Sequence, residues 1–236
     1  MLMPYKPSLL ILGLLMACSD PSPSEPVADA APAPLDMPDD PDVGPAPDDG
    51  PPAEALEFCG GETAFAWDPL GETTYTAFPS DWYSDDDPGT ETGIRARMDA
   101  DNAPWSATIA DTFKLVFSEM ATLDGFGTTA GIILRFNAVV GEVASGDPSS
   151  ITDAGLQLVE LHEGGPVRVA FETRVVDDGT TLILQPMRPL RPATRHAAIL
   201  TTAHESPKGC IAPGAPLEAI LRGEAEHPGL VRLQPR

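Results

Sequence analysis

Thr180 to Thr202 reads TTLILQPMRPLRPATRHAAILTT, and how this stretch folds decides the architecture of the chain. Thr181-Leu182-Ile183-Leu184 is β-branched and aliphatic, and Ala197 to Thr202 repeats that character, so both segments are expected to be strands. Between them lie Pro186, Pro189 and Pro192. Each fixes φ and removes a backbone donor, which predicts a connection that is neither helix nor central strand and that crosses the end of a sheet. A strand, a stiff corner and a second strand form a unit typical of β-sandwiches.

Outward from that unit, further strands are expected at Ile132 to Phe136, Leu156 to Leu161 and Val167 to Val176. Turns at Gly141 to Pro148, Gly164-Gly165-Pro166 and Asp177-Asp178-Gly179 separate them, and Asp178-Gly179 after an alternating run is a hairpin signal. Closely spaced strands without interleaved helices predict a sandwich rather than a parallel α/β sheet. Residues 60–103 are turn-rich, with room for two or three edge-like strands in fragments such as Thr73 to Phe78 and Ile94 to Met98. The period changes at Trp105, Ile109, Phe113, Val116, Phe117 and Met120, whose three- and four-residue spacing predicts one amphipathic helix over about 105–120. Its apolar stripe is expected to pack on a sheet. A short helix is expected from Pro216 to Arg222.

The 236 residues carry a formal net charge of −22, and half of it lies between Ser19 and Glu57, where eleven acids and eleven prolines meet no Lys or Arg. Such a segment cannot bury enough apolar surface to offset its ordering entropy, so residues 18–57 are expected to form a disordered, extended tether. Residues 58–236 have the size of one domain. Without a basic run the chain is not expected to bind nucleic acid. Residues 1–17, with one charge at Lys6 and an apolar run from Leu9 to Ala17, have the length of a signal peptide and are too short to span a bilayer. Cys59 and Cys210 flank the folded part; in an exported protein they are expected to pair, closing a loop of about 150 residues, the alternative being two buried thiols.

Leu15-Met16-Ala17-Cys18 resembles the lipobox of bacterial lipoproteins. The resemblance implies acylation of Cys18 as the mature N-terminus, and several acyl chains anchor far more firmly than one. Ser19 rather than Asp after the cysteine implies the outer membrane or cell surface. The alternative is an ordinary secretory signal with an incidental cysteine.

Three further passages, taken in order, carry a second resemblance. They are Ala77-Phe78-Pro79-Ser80-Asp81-Trp82, Leu123-Asp124-Gly125-Phe126-Gly127-Thr128-Thr129-Ala130 and Leu184 to Arg195 with Pro186, Pro189, Leu190, Pro192 and Thr194. Together they resemble the N-terminal, Ig-like domain of bacterial virulence-factor lipases and related surface lipoproteins, over roughly residues 62–205. In that family hydrolysis belongs to a downstream α/β-hydrolase domain with a G-x-S-x-G elbow, a motif this chain lacks. The family's further helix and closing strand are expected beyond Arg236, so the chain is either a shortened product or a short relative.

Few residues promise chemistry. His162, His196, His204 and His227 are scattered over expected strands and loops, with only His196 and His204 near enough in sequence to approach each other. Neither a metal nor a cofactor is expected. Asp85-Asp86-Asp87 lacks the spaced ligands of a calcium loop. Arg188, Arg191 and Arg195 concentrate positive charge and suit an acidic partner or lipid phosphates, although pairing with the domain's own carboxylates is the simpler expectation. The expected function is a non-catalytic accessory or binding module, held by its lipid anchor, with a protein, glycan or lipid partner. The alternative is the N-terminal fragment of a lipase or esterase.

Overall fold

A computed structural model describes residues 58–71, 77–99, 110–162, 164–201 and 203–234. The expected signal peptide and tether, with Cys18, lie outside the described residues, as do Trp105 and Ile109 of the expected helix. The chain is mainly β. In order it forms β1 (Thr63–Ala64), β2 (Ala77–Phe78), β3 (Ser84–Asp86), β4 (Ile94–Ala96), α1 (Asp111–Met120), β5 (Ile132–Arg135), α2 (Ser149–Thr152) and β6 (Leu156–Glu160). There follow β7 (Val167–Val169), β8 (Phe171–Val176), β9 (Thr181–Pro186), β10 (His196–Leu200), β11 (Glu205–Ser206), β12 (Gly209–Ala212), α3 (Ala215–Leu221) and α4 (Pro228–Val231).

The two larger sheets are built around the opening stretch. In the first, β2, β5, β9 and β8 lie side by side and antiparallel. Ile132 faces Leu184 and Leu134 faces Leu182 across the β5–β9 ladder, and all four side chains are fully buried. Their alternation with Ile133, Ile183 and Arg135 puts one face on the core. In the second sheet β6 lies between β10 and β7, and its burial is nearly continuous, as is that of β10. Residues of both sheets, among them Leu156, Leu158, Ala198 and Leu200, share one contiguous core with the β5–β9 residues. β8 and β9 form the expected hairpin, turned by Asp177, Asp178 and Gly179, all at positive φ.

Two expectations on the sheets need correction. Val167 to Val176 is not one strand: it breaks at Ala170, and β7 joins the second sheet while β8 joins the first. Pro186 belongs to β9 rather than to the turn. The β5 register ends at Leu184, so Pro186 has only β8 beside it and its missing donor costs no second ladder. The chain then crosses from the first sheet to the second through Pro189 and Pro192, as the corner predicts.

The helix stripe also differs from expectation. Phe117 and Met120 pack against the core, but Phe113 is 59% exposed and Val116 51%. A ten-residue helix is about 15 Å long, and α1 docks through its last turn, which lifts residues one turn earlier off the core. Short pieces missed in sequence complete the domain. α2 interrupts the run of strands, β1 pairs in parallel with β12, and β11 pairs with β12.

The C-terminal segment is stapled back onto the loop before β3. Nη1 of Arg232 donates to the Ser84 carbonyl at 2.6 Å, and Nη2 donates to the Asp81 and Trp82 carbonyls at 2.9 Å each. The guanidinium also lies 5.9 Å from the Trp82 ring. Burial and the neighbouring Arg97 charge pull the Arg232 group below its ordinary range. Arg232→Ala is expected to cost about 2–3 kcal/mol, because three carbonyls lose a charged donor. Arg232→Lys should recover little, since an ammonium cannot reproduce the fork. Denaturant midpoints check both, and an alanine effect below about 0.5 kcal/mol would rule the staple out.

Candidate functional site

The three family-like passages converge. Phe78 meets Phe126 edge-on at 5.7 Å and Tyr83 at 5.5 Å. The amide of Leu190, itself 3% exposed, donates to the Thr128 carbonyl at 3.0 Å, and Gln185 Nε2 donates to the Thr129 carbonyl at 2.9 Å. Thr92 Oγ1 donates to the Asp124 carbonyl. Pro79 and Gly125 are buried with this cluster's neighbours, Asp81 opens a short 3-10 turn, and Leu123 is half exposed. These contacts are packing and backbone hydrogen bonds, so the passages build a scaffold.

Cys59 and Cys210 are disulfide-bonded with Cα atoms 6.2 Å apart, which excludes the two-thiol alternative. The Asp85–Asp87 run, at the end of β3, is held by arginines. Arg97 and Arg232 approach Asp85 at 3.2 and 3.5 Å, and Arg95 Nε donates to Asp87 at 2.6 Å. That bond, helped by the Gly89 amide, holds the Asp87 carboxyl below the usual carboxylate range.

Two cavities stand out by chemistry. The larger, about 730 Å³, has Phe65, Trp67 and Phe136 beneath a rim that includes Arg135, Asn137, Asp177 and Thr181. Its polar groups are already occupied. Thr181 Oγ1 donates to Asp177 at 2.8 Å, Arg135 lies 3.6 Å from the same carboxylate, and Asn137 bridges Ala64 N and the Glu62 carbonyl.

The smaller cavity, about 440 Å³, lies at the proline corner and is lined by Leu161, His162, Ala193, Thr194 and Arg195. Behind it Glu160, at the end of β6 with its side chain 11% exposed, gathers three groups. His162 Nε2 lies 2.6 Å and Arg191 Nε 2.8 Å from Oε1, while His196 Nε2 stands 3.9 Å from Oε2. His196 Nδ1 donates to the Thr194 carbonyl at 3.0 Å, which orients the ring at the start of β10. Thus His196 meets Glu160, not His204, whose ring bonds the Val140 carbonyl. His227 instead caps α4 by accepting from Gly229 N. Of the three corner arginines, Arg191 pairs with an internal carboxylate as expected; Arg188 and Arg195 pair with none among the described residues.

The role of Glu160 was missed in sequence. It stands in register with His196 across the β6–β10 ladder, a signal that emerges only once the strands are paired. Among the described residues, no group of three or more His, Cys, Asp or Glu could hold a metal ion. Compared with family models, curated proteins and solved structures, the chain gives no match.

Proposed function

We propose that the protein is a lipid-anchored bacterial envelope lipoprotein whose mainly β domain is an Ig-like sandwich serving as a non-catalytic accessory or binding module at the cell surface. The observation that carries this reading is the Cys59–Cys210 disulfide. Disulfides persist in exported proteins, and this one closes the domain where the acidic tether joins it, behind Leu15-Met16-Ala17-Cys18. The crossing from one sheet to the other at Ala170 and again at the proline corner supports a two-sheet sandwich. The imidazole contacts support a non-catalytic role: His196, His204 and His227 each spend a ring nitrogen on backbone.

Labelling of expressing cells with radioactive fatty acid tests the anchor. The full chain is expected to carry label and sediment with membranes, and Cys18→Ser to lose both. An unlabelled, soluble wild type would overturn the anchor. Turnover of acyl esters by the full chain, abolished by His162→Ala, would overturn the non-catalytic role.

A further inference from the structure

We propose that the proline-corner cavity binds a phosphate group, held by the Arg195 guanidinium, the His162 ring and the backbone amides of Ala193 and Thr194. Among the described residues no carboxylate lines this cavity. Its donors are also unspent. Among the described residues Arg195 makes no ion pair, and the amides of Ala193 and Thr194 donate to no protein acceptor. This holds in a chain with 36 acidic residues and 14 basic ones, where Arg95, Arg97, Arg191, Arg222 and Arg232 all find a carboxylate.

Backbone geometry points the same way. Ala193 has φ 48°, a left-handed conformation that costs a residue with a Cβ roughly 1–2 kcal/mol. Pro192 ahead of it fixes its own φ, so the turn is stiff. Consecutive amides at a left-handed residue form a concavity suited to an anion. Among the described residues the carboxylate behind the cavity is already approached by cationic or ring nitrogens: His162 Nε2 lies 2.6 Å and Arg191 Nε 2.8 Å from Glu160 Oε1. That approach sets the imidazole at the cavity wall. A phosphate oxyanion matches such a set because charge-assisted bonds to guanidinium and amides are short and strong.

This deepens the binding role proposed above but does not depend on Cys18. The test follows the melting temperature of the full chain against inorganic phosphate at constant ionic strength, with chloride as the compensating anion. Wild type is expected to show a saturable rise. Arg195→Glu and Arg195→Gln are expected to weaken apparent affinity at least about tenfold, the worth of one charged hydrogen bond. Arg188→Glu makes the same charge change away from the cavity and is expected to keep wild-type affinity. No saturable rise in wild type, or equal loss in Arg188→Glu, would overturn the site. A second arm uses Cys18→Ser full chain with phosphatidylcholine vesicles containing about a fifth phosphatidylglycerol. Vesicle binding that free phosphate displaces and Arg195→Glu abolishes assigns the site to a lipid headgroup. Phosphate binding without vesicle binding assigns it to a free or soluble phosphate. A chain that takes up fatty acid yet binds no phosphate would sink this pocket and leave the anchored module standing.

Discussion

Replacing Cys59 and Cys210 together by alanine is expected to destabilise the domain by about 2–5 kcal/mol, the largest effect of any change outside the core. The bond joins residues 151 apart in sequence, so in the chain-entropy picture it removes about 5 kcal/mol worth of freedom from the unfolded ensemble. It also ties down weak local structure. β1 and β11 are two-residue strands that both pair with β12, and Cys210 is a β12 residue in register with Glu205. Two-residue ladders do not persist on their own hydrogen bonds. The double variant should therefore melt about 10 °C or more lower, by circular dichroism under matched conditions, and wild type with reductant should follow it. A shift of only a degree or two would mean that the core carries these strands unaided.

Phe171→Ala is expected to cost about 3–5 kcal/mol. Phe171 is fully buried and is the first residue after the chain leaves the second sheet for the first. Its amide donates to Ser150 Oγ at 3.1 Å, and its carbonyl accepts from Gly146 N at 2.8 Å, so the backbone is held and cannot collapse into the space the ring vacates. The resulting cavity would lie in the core that both sheets share. Val175 on the same strand is 40% exposed, and Val175→Ala should stay within about 0.5 kcal/mol. Urea titrations with an unchanged slope would measure both. Equal costs for the two would show that Phe171 does not occupy a shared core.

The strands that were legible in sequence are those whose periodicity reports a buried face. Ile132, Leu134, Leu182 and Leu184 alternate with less buried neighbours, and the Asp178-Gly179 hairpin announces itself by turn chemistry. The break at Ala170 was not legible, because Val169, Ala170 and Phe171 run on as apolar residues with no turn signal and only the choice of neighbour changes. β11 escaped because two residues show no period, and β12 because Gly209-Cys210-Ile211-Ala212 lacks the β-branched and aromatic character of a strand apart from Ile211. The exposed Phe113 and Val116 illustrate the opposite failure: spacing reports that a stripe exists, not how much of it docks. At the candidate site, the arginine concentration was visible and its geometry was not. Ala193 gives no sign of a positive φ, where glycine or asparagine would have done so. Glu160 reads as the polar end of an apolar strand until its register with His196 is known.

The disulfide also determines how the molecule would carry mechanical load. A pull on the chain ahead of Phe58, resisted at a point beyond Ala212, enters at Cys59, crosses the sulfur–sulfur bond and leaves through Cys210. Everything between these two cysteines, including both sheets and the cavity at the proline corner, lies off that line of force. Tension held at Arg195 instead runs through the sheets themselves, so the same domain would be stiff when stretched between Cys59 and Cys210 and compliant when tugged at the proline corner.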